Sequence, residues 1–111
     1  MFARTVSMQV KPNSHKQFTD TFEGEIIPTL RKQQGFKDEL LFGVPGGPEV
    51  LAISLWESKD NADTYNSTTY PGVLKSLSNL IEASPKVKTY DVAYSTFHKI
   101  VAREAVAVHA Y

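Results

Sequence analysis

The first residues of the chain alternate between two faces in a pattern typical of a β-strand. From Phe2 to Val10 the even positions are mostly apolar, with Arg4 as the one charge, while the odd positions hold Ala3, Thr5, Ser7 and Gln9. A period of two predicts a strand over residues 2–10 with one buried face. Pro12 and Asn13 end it.

An apolar stripe with a spacing of four residues follows and predicts an amphipathic helix. Ser14, three residues before Gln17, has the form of a capping box at its start. Pro28 removes a helical hydrogen bond to the carbonyl of Gly24. We therefore expect a kinked helix, or one whose last turn restarts near Pro28, ending before Gly35. The stripe consists of Phe18, Phe22, Ile26 and Leu30.

Two further strands are predicted at Phe36–Val44 and Val50–Glu57. The Gly- and Pro-rich segment between them is typical of a hairpin turn. Ser58 is then the expected N-cap of a second helix, which Pro71-Gly72 divides into residues 59–69 and 72–82. The last predicted strand runs from Lys86 to His98.

The order strand, helix, strand, strand, helix, strand predicts an α+β, ferredoxin-like βαββαβ fold with a four-stranded antiparallel sheet and both helices on one face. The other face of the sheet also carries apolar residues. A second copy of the chain is the simplest cover for it, so we expect a homodimer that forms an α/β barrel. Residues 1–99 are the predicted domain, and residues 100–111 form a tail that is a possible dimer arm.

Composition narrows the function. The chain has 111 residues, 12 basic and 12 acidic residues and no cysteine. The balanced charge argues against nucleic acid and anionic membranes as partners, and the missing cysteines exclude disulfides and thiolate metal sites. No stretch is apolar enough for a signal peptide or a membrane span, so we expect a cytoplasmic protein.

The sequence resembles the antibiotic biosynthesis monooxygenase (ABM) superfamily over roughly residues 2–99. The resemblance lies in the Pro-interrupted first helix leading to Gln34-Gly35-Phe36, in Leu55-Trp56-Glu57-Ser58-Lys59, and in the aromatic-containing helix that follows. It implies the dimeric α/β barrel and a choice of activities. These include cofactor-free oxygenation of aromatic polyketides, quinol oxygenation and haem degradation, and some members have no known activity.

The segment Val87–Tyr94 is similar to the last strand of the haem-degrading branch, whose functional residues can be compared one by one. That branch has an Asn on the first strand, a Trp nine residues after the Trp of the third strand and a haem-ligating His ten residues further on. Here the corresponding positions hold Ser7, Tyr65 and Lys75. None matches, so haem degradation by that mechanism is not expected, and haem binding through other ligands is the weakest alternative.

The remaining candidates are aromatic and polar residues that could surround a flat ligand. We expect a pocket for an aromatic or quinone-like molecule between the sheet and the helices. Its predicted lining is Arg4, Ser7, Phe22, Trp56 and Tyr70, with Phe18, Tyr90 and Tyr94 as further aromatics. The catalytic candidates are Tyr65, Lys75 and His98.

No histidine pair has the spacing of a metal site, and we expect neither a metal nor a cofactor. Two hypotheses follow. The first is a cofactor-independent monooxygenase acting on an aromatic or quinone-like small molecule, with the protein supplying a dry pocket and a base. The alternative is a non-catalytic, dimeric ligand-binding or stress-associated protein of the same fold, in which the aromatic residues only form the core.

Overall fold

The computed structural model describes residues 1–98, and the tail predicted as a dimer arm lies outside the described residues. The elements follow in this order: β1 (Phe2–Val10), α1 (His15–Thr21), a π-helical turn (Phe22–Ile26), α2 (Ile27–Arg31), β2 (Phe36–Gly43), β3 (Glu49–Trp56), α3 (Lys59–Thr68), α4 (Tyr70–Leu77) and β4 (Ile81–Asp91).

The four strands form one antiparallel sheet in the order β2-β3-β1-β4. This confirms the predicted α+β, ferredoxin-like architecture. The even positions of β1 and β3 are buried beneath the helices, because a strand directs alternate side chains to opposite faces. Trp56, Phe18 and Val10 are the largest fully buried side chains of the core.

The first helical region restarts near Pro28, which is one of the two forms that the sequence predicted. α1 passes into the π-helical turn, in which the amide of Ile27 donates to the carbonyl of Phe22, and α2 then begins with Pro28 in its first turn. The capping-box prediction is wrong, because Ser14 makes no side-chain cap hydrogen bond. The turn keeps both Phe22 and Ile26 buried against the sheet.

The hairpin and the second helical region agree with the sequence. The amide of Val44 donates to the carbonyl of Glu49 across the turn, and Gly46 has a φ of 73°. Ser58 caps α3 by accepting a hydrogen bond from the amide of Asn61. The predicted break is present, but it lies at Thr69 rather than at Pro71-Gly72, because both of these residues lie in the first turn of α4.

The boundaries predicted for the second part of this helix and for the last strand are wrong. α4 ends at Leu77 rather than at residue 82, and Ile81 already pairs with Val10 in the sheet. β4 ends at Asp91 rather than at His98. β1 supplies the hydrogen bonds for β4, and the last of these, from the amide of Val92 to the carbonyl of Met1, lies where β1 itself begins.

The sheet face opposite the helices carries a band of apolar side chains. Leu40 and Phe42 on β2 are 44% and 51% exposed, and Tyr90 on β4 is 51% exposed. The register places Leu51, Ile53 and Leu55 of β3 on the same face. We call this surface, formed by Leu40, Phe42, Leu51, Ile53, Leu55 and Tyr90, the open face.

Among residues 1–98, no helix is long and apolar enough to cross a membrane.

Candidate active site

One row of residues across the sheet is polar, although it lies on the apolar face beneath the helices. Glu39 of β2 pairs with Ser54 of β3, and Ser54 pairs with Arg4 of β1. The neighbouring row on the same three strands is apolar, with Leu41, Ala52 and Val6. Since adjacent strands lie about 4.8 Å apart, the backbones of Glu39 and Arg4 are about 10 Å apart, with Ser54 between them.

A cavity lies between this polar row and the helices. The volume open to the centre of a water-sized sphere is about 30 Å³, enough for one or two water molecules. Tyr65 and Tyr70 from the second helical region form part of its wall, together with Glu39 and Arg4 from the sheet. Apolar side chains complete the lining, namely Val6, Met8, Phe22, Ile26, Leu30, Ala52, Val73, Leu74 and Leu77.

Arg4 brings a buried positive charge to this cavity. Its side chain is 3% exposed, and its guanidinium lies 4.0 Å from the ring centroid of Tyr70 and 5.4 Å from that of Tyr65. One guanidinium nitrogen donates to the side-chain oxygen of Asn66 at 2.8 Å. Within residues 1–98 the guanidinium forms no ion pair with a carboxylate. Aromatic faces and one amide therefore stabilise the cation, and its charge remains available to an anionic group.

Glu39 faces the same cavity, and its Oε1 is buried without a hydrogen-bond partner in the described chain. Burial raises the pKa of Glu39 from 4.5 to about 8, with the positive charge of Arg4 opposing the rise and the charge of Asp38 adding to it. A carboxyl group in this state exchanges protons near neutral pH, which is the property of a general acid or base.

Tyr65 remains protonated beside these two groups. Burial raises its pKa to about 12, and Arg4 opposes the rise. The ring of Tyr65 lies 5.0 Å from Trp56 and 6.2 Å from Tyr70. The result is an aromatic wall on one side of the cavity, with a neutral phenol able to donate a hydrogen bond.

Trp56 supports this wall from behind. It is fully buried and does not line the cavity. Its indole N–H donates to the hydroxyl of Ser54 at 2.8 Å, and that hydroxyl donates to the carbonyl of Arg4 at 3.4 Å. Ser54 therefore links the indole to the backbone at Arg4, which fixes the middle of the polar row.

The residues proposed from the sequence are distributed over the molecule. Arg4, Phe22, Tyr65 and Tyr70 meet in the cavity. Ser7 belongs to the other phase of β1 and lies on the opposite face of the sheet, beside Phe42 and Leu51.

Two catalytic candidates and two aromatic residues also lie away from the cavity. Lys75 is exposed on α4. The Nε2 of His98 lies 3.1 Å from a carboxylate oxygen of Asp38, on the open-face side of β2. The expected places of Tyr90 and Tyr94 in the pocket are wrong, because these rings are 51% and 72% exposed.

The sequence reasoning did not single out Glu39. A signal was present, since Glu39 shares the phase of Leu41 in a strand and is a charged residue on a face that otherwise buries apolar groups. The buried face of β2 could not be identified from the sequence, because Leu40, Leu41 and Phe42 make both of its faces apolar.

Residues 1–98 contain no cluster of three or more His, Asp or Glu side chains that could hold a metal ion. The polar groups of the cavity are one cation, one carboxyl, the hydroxyl of Ser54 and two phenols, a set suited to binding and proton transfer on an organic ligand.

No protein-family model matches the sequence, and no curated protein matches it significantly. Solved structures do match the fold. A monooxygenase from the gene ActVA-Orf6 of Streptomyces coelicolor, solved with the ligand nanaomycin D, has a TM-score of 0.71 and 17% identity over 88% of this chain and 92% of its own. A candidate antibiotic biosynthesis monooxygenase from Deinococcus radiodurans has a TM-score of 0.71 and 12% identity over 92% of this chain and all of its own.

A conserved protein from Methanosarcina mazei Go1 is 22% identical, with a TM-score of 0.66 over 81% of this chain and 91% of its own. At these identities the agreement concerns the backbone. The chain has the fold of the antibiotic biosynthesis monooxygenases, as the sequence resemblance implied.

Proposed function

We propose that this protein is a cofactor-independent monooxygenase that binds a flat aromatic or quinone-like molecule in the cavity above the polar row. The observation that carries the proposal is the buried guanidinium of Arg4, which lies against Tyr65 and Tyr70 in an otherwise apolar cavity and forms no ion pair within residues 1–98. A buried cation without a carboxylate costs free energy, and an anionic oxygen on a bound ligand would offset that cost.

The arrangement suits a substrate that reacts with oxygen as an anion. The aromatic wall binds a planar ring, and Arg4 stabilises the negative charge that develops when a phenol, an enol or an activated methylene group loses a proton. Such an electron-rich anion can reduce molecular oxygen itself. The fold similarity to a monooxygenase solved with the ligand nanaomycin D supports the proposal of an oxygenase.

A planar aromatic ligand needs more room than this cavity of about 30 Å³ provides. Tyr70 and Leu74 are only partly buried, and both lie on α4, directly after the helix break at Thr69. We infer that α4 or these two side chains move outward when the ligand enters. Proton transfer and oxygenation would then proceed in a site from which most water is excluded.

The test uses dithranol, a dihydroxyanthrone, and a hydroquinone as probes. Trp56 is the only tryptophan, so quenching of its fluorescence reports binding, and an oxygen electrode reports turnover. Arg4→Met is expected to weaken binding about 10- to 100-fold, because a charge-assisted hydrogen bond contributes roughly 1.5–3 kcal/mol. Oxygen uptake should fall at least as much.

Arg31→Met makes the same change at an exposed position on α2 and should leave both readouts unchanged. Saturable binding without oxygen uptake would favour the alternative, a ligand-binding protein without catalysis. Absence of both binding and uptake with every probe would contradict the proposal.

We also propose that the protein is a homodimer that pairs through the open face. Three large hydrophobic residues on this face, Leu40, Phe42 and Tyr90, are each more than 40% exposed, and contiguous exposed apolar surface of this kind marks an interaction site. A two-fold axis brings the same patch on two copies together and closes the barrel. We also propose that the protein is cytoplasmic.

Light scattering is expected to give twice the 12.4 kDa mass of one chain. Phe42→Asp should shift the mass toward the monomer, because it puts a charge on the apolar open face. Val87→Asp is the control. Val87 is 40% exposed, but it pairs with Val6 and so belongs to the phase opposite the open face. A monomeric wild-type protein at micromolar concentration would contradict the dimer.

A further inference from the structure

We propose that Glu39 is the catalytic base of this cavity, which removes a proton from one end of a bound aromatic ring while Arg4 stabilises the resulting negative charge at the other end. This inference rests on the proposed function and deepens it, since it assigns the group that converts the substrate into its oxygen-reactive anion.

The positions of the two charged groups support this role. Glu39 and Arg4 stand at the two ends of one row, with Ser54 between them, and both line the cavity. Their backbones are about 10 Å apart, and both side chains project from the same face of the sheet. A planar ligand above Ser54 would therefore lie between the two groups.

The Oε1 atom of Glu39 has no hydrogen-bond partner within residues 1–98. A buried carboxyl oxygen without a hydrogen bond is costly, and few remain in native proteins. Glu39 forms no ion pair within residues 1–98, although Arg4 lies on the same face. A partly buried carboxyl that faces a cavity with its Oε1 unpartnered has no evident structural role there, but it can accept a proton from a ligand.

Few other groups around Glu39 could accept the proton of a ligand in its place. The titratable and charged groups that act on it are Arg4 from β1, Asp38 beside it on β2, and Tyr65 from α3. Tyr70 from α4 also lines the cavity. The π-helical turn and α2 contribute only Phe22, Ile26 and Leu30 to the lining.

The reaction can be written for a substrate with a ring methylene group opposite a ring carbonyl, as in an anthrone. A C–H bond of the methylene breaks, its proton bonds to Oε1 of Glu39, and the electron pair delocalises onto the carbonyl oxygen that faces Arg4. Molecular oxygen, the oxidant, then bonds to the carbanionic carbon and becomes a peroxide. Glu39 returns its proton to the peroxide, which gives a hydroperoxide. The O–O bond and the remaining C–H bond of that carbon then break, the hydroxyl leaves as water with this second proton, and a second carbonyl forms. The methylene group and O₂ thus yield a carbonyl group and H₂O.

The experiment compares the wild-type protein, Glu39→Gln and Glu82→Gln with dithranol, after subtraction of spontaneous oxidation. Glutamine has the shape of glutamate but is a far weaker base. We expect kcat to fall at least 100-fold in Glu39→Gln while the dissociation constant, from Trp56 fluorescence, changes less than about fivefold. Glu82 is exposed on β4, and its replacement should change neither value.

The pH profile of the wild-type protein is a second, independent readout. The base must be ionised, so kcat/KM should rise with pH and level off above about 8, the pKa that burial gives Glu39. In Glu39→Gln this rise should disappear. If the variant fails to fold, the wild-type profile decides: a rise that levels off near pH 8 supports the base, and a flat or falling profile overturns it.

The two proposals fail differently. A wild-type protein that oxidises dithranol, with Glu39→Gln within tenfold of it, would remove the role of Glu39 and leave the proposed function intact. A wild-type protein that neither binds nor oxidises the probes would overturn both.

Discussion

Replacing Glu39 by glutamine is expected to stabilise the protein by roughly 5 kcal/mol at pH 9 and by less than about 1 kcal/mol at pH 5. The carboxyl has a pKa of about 8 in the folded protein and 4.5 in the unfolded chain. The folded state therefore binds the proton more tightly, and the wild-type protein loses stability as the pH rises from about 4.5 to 8. Below this window the carboxyl is neutral in both states and resembles glutamine.

Urea unfolding at pH 5, 7 and 9 measures the difference, with both proteins at the same concentration because the proposed dimerisation would couple stability to concentration. The difference between variant and wild type isolates Glu39, since other titrating groups contribute to both proteins. Glu82→Gln, at an exposed position, should remain parallel to the wild type at every pH. A difference that is the same at pH 5 and pH 9 would mean that Glu39 is not desolvated in the folded state.

The gain in stability expected for Glu39→Gln and the loss of catalysis predicted for the same variant have one cause. A site that keeps a carboxyl group buried without a partner is less stable than an apolar one, and proteins retain such groups where they serve a function. A variant that is more stable and less active would show both consequences of one desolvated side chain.

Replacing Trp56 by alanine is expected to lower the free energy of unfolding by about 3–5 kcal/mol, the range for a fully buried Trp or Phe truncated to Ala. The change removes the ring that contacts Phe36 at 5.6 Å and Tyr65 at 5.0 Å. It also deprives the hydroxyl of Ser54 of the hydrogen bond that the indole donates.

Trp56→Phe separates these contributions. It retains most of the apolar volume and loses the indole N–H, so we expect a cost of about 1–2 kcal/mol. Unfolding must be followed by circular dichroism, because both variants lack the only tryptophan. A cost below 1 kcal/mol for Trp56→Ala would contradict the role of Trp56 as the central support of the aromatic wall.

Much of the architecture could be predicted from local patterns. The alternation in β1, the Gly- and Pro-rich hairpin and the Ser58 cap all express short-range physical chemistry, and the structure agrees with them. Pro28 indicated the interruption in the first helix, because a proline removes a backbone donor wherever it lies.

The wrong boundaries concern segments whose state depends on a distant partner. Leu80 and Ile81 continue an apolar stripe that fits a helix, but the backbone of β1 is available to pair with them, and that pairing begins β4 early. The apolar and β-branched residues beyond Asp91 fit a strand, but β1 begins at Phe2, and after the bond from Val92 to Met1 no backbone remains there to pair with them. Local propensity does not depend on where β1 offers pairing partners, so it could not predict either boundary of β4.

The candidate site divides in the same way. Its aromatic character, with Arg4, Phe22, Tyr65 and Tyr70, could be predicted, because large amphipathic side chains on inward-facing positions are expected around a ligand. The sequence could not show whether Asp38 or Glu39 points inward. Apolar residues occupy both phases of β2, and a register shift separates Phe36 from Asp38.

By itself, then, the sequence determined the order of the elements, the apolar faces and the presence of an aromatic set, because periodicity and turn chemistry act over a few residues. Only the tertiary structure decided which polar groups share the cavity. The register of three strands brings Glu39, Ser54 and Arg4 into one row, and the helices above them remove water from that row. This desolvation turns an ordinary glutamate into a group that exchanges its proton near neutral pH.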